Sequence, residues 1–206
     1  MYTHYFAYDP NAESFAHAWP QMVDDARTIA EHVQNELGVV IAGGDGTGEP
    51  EFSERWIRLN GTARGHLAHE TLLIDMQPWR TWDENAELGY HDWARMEWTG
   101  FREQGFAWAF CKTVRNPYDI AVTSILLRCT HLALDAFVIG SDGDWEHEWQ
   151  HGAAYWGAGC KTGPAPVEIV RRLFAQTETP GRSRLSNTGR GPRSAREGRE
   201  RETSST

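Results

Sequence analysis

His147-Glu148-Trp149-Gln150-His151 sets two imidazoles four residues apart around a carboxylate. On a helix both rings fall on one face, where they can share a zinc ion, and Glu148 is placed to deprotonate a metal-bound water. A third ligand would come from Glu168 or Cys160. Gly43-Gly44-Asp45-Gly46-Thr47 follows an apolar run and forms a turn whose backbone amides can cradle phosphate, with Asp45 organising a transfer site. Lys112 and Arg115 precede a helix start at Asn116-Pro117-Tyr118-Asp119, and cations beside a helix N-terminus attract phosphate or carboxylate. The same electropositive setting lowers the pKa of a neighbouring thiol, here Cys111. Each group also has a plainer reading. His147 and His151 then ride on a solvated short helix, residues 43–47 are a glycine-supplied turn, Arg115 pairs with Asp119, and Cys111 continues the buried face of a strand.

The elements that must position these groups follow from periodicity and turn chemistry. Tyr2 to Tyr8 reads as a strand, closed by Asp9-Pro10-Asn11. From Ala18 to Leu37 apolar residues recur at helical spacing, with Pro20 in the first turn and Gly38 as the C-terminal cap. Val39 to Ala42 reads as a short buried strand, and two more strands are expected over Phe52 to Asn60 and Glu70 to Met76. Gln77 to Gln104 has no clean period and reads as an irregular insertion with a short helix near His91 to Trp98. Phe106 to Cys111 reads as a central strand. Asn116, Pro117 and Asp119 together have the pattern of a capping box ahead of an apolar helix to Leu132. Ala136 to Ile139 returns as a strand, Ser141 to Asp144 turns, and helices are expected over Trp145 to His151 and Val167 to Phe174. Strands and helices mix without strict alternation, which predicts one α+β domain over residues 1–176, with helices packed on a mixed or antiparallel sheet.

The chain has 206 residues and a formal charge of −9, but that figure averages two different parts. Thr177 to Thr206 holds seven Arg, four Glu and no aromatic residue, and is expected to be a disordered, Arg-rich tail. The preceding residues hold all ten Trp and all nine His and carry −12. An acidic body repels a nucleic-acid duplex, so no specific nucleic-acid partner is expected, only weak non-specific contact by the tail. No apolar run approaches the ~20 residues of a membrane span, and the N-terminus lacks a signal-peptide pattern. Three widely spaced cysteines suit reduced thiols, and a cytoplasmic location is expected.

Two literal motif matches depart from their families. The Gly43–Thr47 string looks like the GGDGT signature of diacylglycerol and NAD kinases, but those enzymes continue into a helix, whereas Gly48-Glu49-Pro50 intervenes here. The His147–His151 string is similar to the H-E-x-x-H of zinc metalloproteases, yet charged Glu146 precedes it and Gly152 closes it at once. Over most of residues 1–176 the chain resembles a group of small uncharacterised proteins encoded by bacteriophages, particularly those of actinobacteria. The resemblance rests on Phe110-Cys111-Lys112-Thr113-Val114-Arg115-Asn116-Pro117-Tyr118-Asp119, Ser141-Asp142-Gly143-Asp144-Trp145, Tyr5 to Pro10, Asp45 to Pro50, Asn60-Gly61 and His69-Glu70-Thr71. It implies a phage-encoded cytoplasmic protein and carries no established activity.

Two functions follow as expectations. In the first, the protein is an accessory factor that binds a host protein or a small anionic ligand without catalysis, its Trp content supplying interaction hot spots. In the second it is an enzyme, using either His147-Glu148-x-x-His151 as a zinc site or the Gly43–Thr47 loop as a nucleotide-phosphate site. The candidate ligand-binding residues are Asp45, His69, Glu70, Lys112, Arg115, Asp119, Asp142 and Asp144, and the candidate metal ligands are His147 and His151. No cofactor is expected outside the zinc reading.

Overall fold

Strand β1 (Thr3–Tyr8) is the axis of the molecule, buried along its whole length. It lies antiparallel to β6 (Ala107–Lys112) on one side and to β7 (Phe137–Ser141) on the other. The computed structural model describes residues 2–78, 104–152 and 163–174 and the backbone of a two-residue strand at 186–187. Alternation sends His4, Phe6 and Tyr8 to one face and Thr3, Tyr5 and Ala7 to the other. Phe6 and Tyr8 join the main core, while Tyr5 and Ala7 form a small second cluster with Phe106 and Val138.

Helix α1 (Glu13–Leu37) and helix α2 (Asp119–Leu132) cover the Phe6 face. Phe15, Trp19, Met22, Ile29 and Val33 form the apolar stripe of α1. All but two residues of α2 are buried, the pattern of a helix enclosed on every side. Helix α3 (Pro166–Leu173) packs on α2. A second antiparallel sheet is centred on β4 (Trp56–Gly61). It pairs with β2 (Ile41–Ala42) and β3 (Glu51–Phe52), and with β5 (Leu72–Asp75). The Tyr8 hydroxyl ties the two sheets together, donating to the Asp75 carbonyl and accepting from the Asp75 amide. The fold is α+β, as the unsegregated pattern of strands and helices predicts. No described helix is long and apolar enough to cross a membrane.

Several boundaries differ from the sequence expectation, each for a physical reason. Helix α1 begins at Glu13, so Pro20 lies inside it rather than in its first turn. Pro20 faces solvent, and the lost backbone bond is offset by burial of Phe15 and Trp19, whose indole donates to the Glu54 carbonyl at 2.7 Å. The strand expected over Phe52 to Asn60 is two strands, β3 and β4, folded back through a turn held by Ser53. The capping box does not form. Asn116 closes a turn before the helix, and the Asp119 side chain points into the core instead of reaching back to it. The expected helix over His91–Trp98 lies outside the described residues. So does most of the Arg-rich segment, of which Ser186–Asn187 form strand β8, parallel to Gly140–Ser141.

Candidate functional site

Antiparallel register around β1 builds a polar cluster at one end of the main sheet. His4 lies opposite Cys111 on β6 and Ser141 on β7, and α2 opens at Asp119 a few residues after β6 ends. His4 is completely buried, with Tyr2 and Trp149 edge-on to its ring. Its Nε2 lies 2.7 Å from Asp119 Oδ1, and its Nδ1 lies 2.9 Å from Ser141 Oγ. An ionised carboxylate only accepts, which assigns a proton to Nε2; in the neutral imidazole Nδ1 then accepts from the Ser141 hydroxyl. Ser141 Oγ in turn accepts from the Gly143 amide at 2.8 Å, and the Thr113 hydroxyl donates to the same Asp119 oxygen. The result is one directed chain from Gly143 through Ser141 and His4 to Asp119.

A strained loop forms the rim of this cluster. Val114 and Arg115 both have positive φ, 49° and 61°, a conformation that costs most for a β-branched residue such as valine. It places the Arg115 guanidinium 3.9 Å over the Tyr2 ring and in an ion pair with Glu148. Glu148 also accepts from the Asp144 amide at 2.8 Å. A methyl group on Gly143 would come within 2.5 Å of the Tyr2 hydroxyl and 2.8 Å of Glu148, so a side chain there would displace both groups. Asp144 lies 2.6 Å from His147 Nδ1 and accepts from the His147 amide, and these bonds, the ring contact first, hold its carboxyl below its usual pKa. Tyr5 reaches Asp142 at 3.5 Å; burial, then the Asp142 charge, pushes its phenol up to about 12.

The opposite wing is built on Glu70. Its carboxylate accepts from the Lys112 amide at 2.8 Å and pairs with Lys112 Nζ at 3.5 Å. Its carbonyl accepts from the Tyr118 hydroxyl and the Cys111 thiol. His69 donates from Nδ1 to the Lys112 carbonyl. Asn60 bonds both backbone groups of His69 and donates to the Gly44 carbonyl, which also accepts from Thr71. Through these bonds the Gly43–Pro50 loop joins the same network.

The segments that carry the ligand-binding candidates predicted from the sequence are therefore connected. His69, Glu70, Lys112, Arg115, Asp119, Asp142 and Asp144 all belong to the cluster or its rim. Asp45 is exposed on the adjoining loop, where it accepts from the Thr47 amide and hydroxyl, and those bonds lower its carboxyl pKa. Gly46, at φ 81°, completes the turn, and a strand follows it rather than a helix.

Other expected sites meet specific contacts among the described residues, which do not include Cys160. Arg115 pairs with Glu148 and not with Asp119, and Lys112 is taken by Glu70, so the two cations do not jointly face an open anion site. Cys111 is buried; burial, then the Asp119 and Glu70 charges, pushes its thiol well above the ordinary range, opposite to what a nucleophile needs. Residues Trp145–Trp149 wind into a wide π-helical turn. There His147 bonds Asp144, Glu148 pairs with Arg115, and His151 is exposed. Among the described residues no group of three His, Cys, Asp or Glu side chains is placed to hold a metal ion. None of the described Trp residues is exposed; Trp56, Trp108 and Trp145 are half-buried.

Sequence reasoning missed Tyr2, His4, Thr113 and Ser141. His4 and Ser141 sit in strand-like runs, and only the pairing register, which one sequence does not contain, brings them together. No protein-family model, no curated protein and no solved structure matches this chain.

Proposed function

We propose that this protein is a phage-type, cytoplasmic accessory factor that binds a host protein through the Arg115 rim without carrying out covalent chemistry. The observation that supports the reading is the strained presentation of Arg115. Two consecutive non-glycine residues in the left-handed region persist only where the surroundings enforce them, and such outliers gather at functional surfaces. Here the strain fixes a partly exposed arginine on a tyrosine ring, and both residue types are enriched at protein-binding hot spots. The ionisable groups behind it are engaged as pairs: His4 with Asp119, Lys112 with Glu70, and Arg115 with Glu148.

The test compares the wild-type chain with Arg115→Ala. The wild type should capture a host protein in defined stoichiometry, and the complex should reassemble from purified components. Arg115→Ala should melt near the wild type and lose the complex. Equal binding by Arg115→Ala, or no reconstituted complex with the wild type, would sink the proposal.

One observation favours a second reading, in which the protein is a hydrolytic enzyme. Ser141, His4 and Asp119 have the hydrogen-bond polarity of a nucleophilic triad. In that chemistry Ser141 Oγ would add to an ester carbonyl as its proton passes to His4 Nδ1, and the same proton would leave with the alcohol. Against it, the ring is turned so that Nδ1 rather than Nε2 faces the serine, and Ser141 is buried. A fluorophosphonate probe that leaves Ser141 unmodified in the native protein, as read by mass spectrometry, excludes this reading.

A further inference from the structure

Helix α2 carries a polar stripe beyond Asp119 that the cluster at the sheet end does not use. Ser124, Arg128 and His131 stand at positions i, i+4 and i+7 and therefore on one face of the helix. Ser124 Oγ, Arg128 Nη1 and both ring nitrogens of His131 are buried and have no hydrogen-bond partner among the described residues. Buried polar atoms are rarely left in this state, and four on one stripe mark a place where a partner belongs.

We infer that Ser124, Arg128 and His131 form a binding site for a small oxyanion inside the helical layer. The frame is already fixed. Arg128 is only 7% exposed, its Nε donates to Asp25 Oδ2 of α1 at 2.6 Å, and its guanidinium lies 4.4 Å over the Phe174 ring just beyond α3. These contacts use the Nε edge and one face of the guanidinium and leave Nη1 directed elsewhere. Ser124 is fully enclosed and His131 is half-buried, so the stripe comes nearest to solvent at the histidine.

The chemistry of the stripe selects the ligand. A hydroxyl, a guanidinium N–H and an imidazole N–H are all donors, which suits the lone pairs of an oxyanion. Among the described residues the charged groups facing the site are Asp25 from α1 and Arg128 from α2, and they cancel; Asp25 is further held by Gln21 at 2.6 Å. His131 must then supply the positive charge. Burial, then the Arg128 charge, lowers its pKa to about 4, so it is neutral near pH 7 while the site is empty. An anion beside the ring favours the protonated form, so binding takes up a proton and tightens as the pH falls.

The experiment uses the full chain and inorganic sulfate, with chloride holding the ionic strength constant. The His131 ring is followed by long-range proton–nitrogen NMR at pH 5 and pH 7. The expected result is a saturable shift of the His131 resonance, tighter at pH 5, with the His131 pKa raised by sulfate. Ser124→Ala, a small change that should leave the fold intact, should weaken binding by about tenfold. His131→Gln should remove the pH dependence. A His131 resonance that sulfate does not move saturably at either pH overturns the proposal and leaves ordered water as the occupant. Wild-type affinity in Ser124→Ala overturns the three-residue site.

Discussion

His4 and Asp119 meet at 2.7 Å in the core although 115 positions separate them, and their bond fastens the central strand to the first turn of α2. Both residues are essentially inaccessible, so neither can exchange its partner for water. Removal of the carboxylate in Asp119→Ala leaves the His4 Nε2 proton and the Thr113 hydroxyl buried without an acceptor. At about 1–3 kcal/mol for each orphaned group, the variant should lose roughly 3 kcal/mol of stability. Urea denaturation would read this as a lower midpoint with an unchanged slope. A midpoint within error of the wild type would mean that the relay is not structural.

The Arg115–Glu148 pair should behave differently, because both side chains are partly exposed. Glu148→Gln should cost less than about 1 kcal/mol. The same contact bears on the zinc motif. In the observed geometry Glu148 is committed to Arg115 and the Asp144 amide, and His147 to Asp144. Zinc added to the wild type should therefore leave the melting temperature unchanged. A zinc-dependent rise that His151→Ala abolishes would show instead that the turn rearranges around a metal.

What could be read from the chain, and what could not, divides along physical lines. Local signals served well. Gly38 at φ 66° closes α1 where helical spacing and a glycine predicted, and Gly43–Thr47 is a turn followed by a strand, as Gly48-Glu49-Pro50 implied. The polar loops were recognisable by residue type. Their partners were not, because pairing is set by strand register and helix docking. Asp119 has the spacing of a capping residue, and nothing local shows that a histidine from the first strand outcompetes the Asn116 backbone for it. Glu148 has the spacing of a zinc-site base, and only the strained Arg115 loop shows that it serves as a counter-ion. The Ser124–Arg128–His131 stripe was equally hidden, since these residues stand in an apolar helix whose neighbours decide which polar atoms find a partner.

Thiol reactivity gives an independent reading of the core. Cys111 and Cys129 are both fully buried with raised pKa values, in each case chiefly through burial. In a Cys160→Ser background, which removes the third thiol, neither should react with an aromatic disulfide reagent at pH 8 until the protein unfolds. Both should then react together, at the rate of unfolding. Fast reaction of Cys111 alone in the native state would restore it as a candidate nucleophile and would require β6 to open locally.

The pH dependence of stability should carry a contribution from His131. Its pKa falls from 6.5 to about 4 on folding, so between these values the unfolded chain binds a proton that the folded chain does not. Where the unfolded state binds more protons, stability rises with pH. The His131 contribution is therefore fully present above about pH 6.5 and is lost as the pH falls toward 4. His131→Phe keeps a ring in place and removes the titration. In chloride buffer its melting temperature should decline less steeply than that of the wild type between pH 6.5 and pH 4, while the two curves run parallel above that window. Sulfate should flatten the wild-type decline, because an anion at Arg128 lets the folded protein hold the same proton, and should leave the slope of the His131→Phe curve unchanged. Identical slopes for the two proteins in chloride would show that His131 keeps an ordinary pKa in the fold. A sulfate effect shared equally by both would assign it to general salt action at the surface.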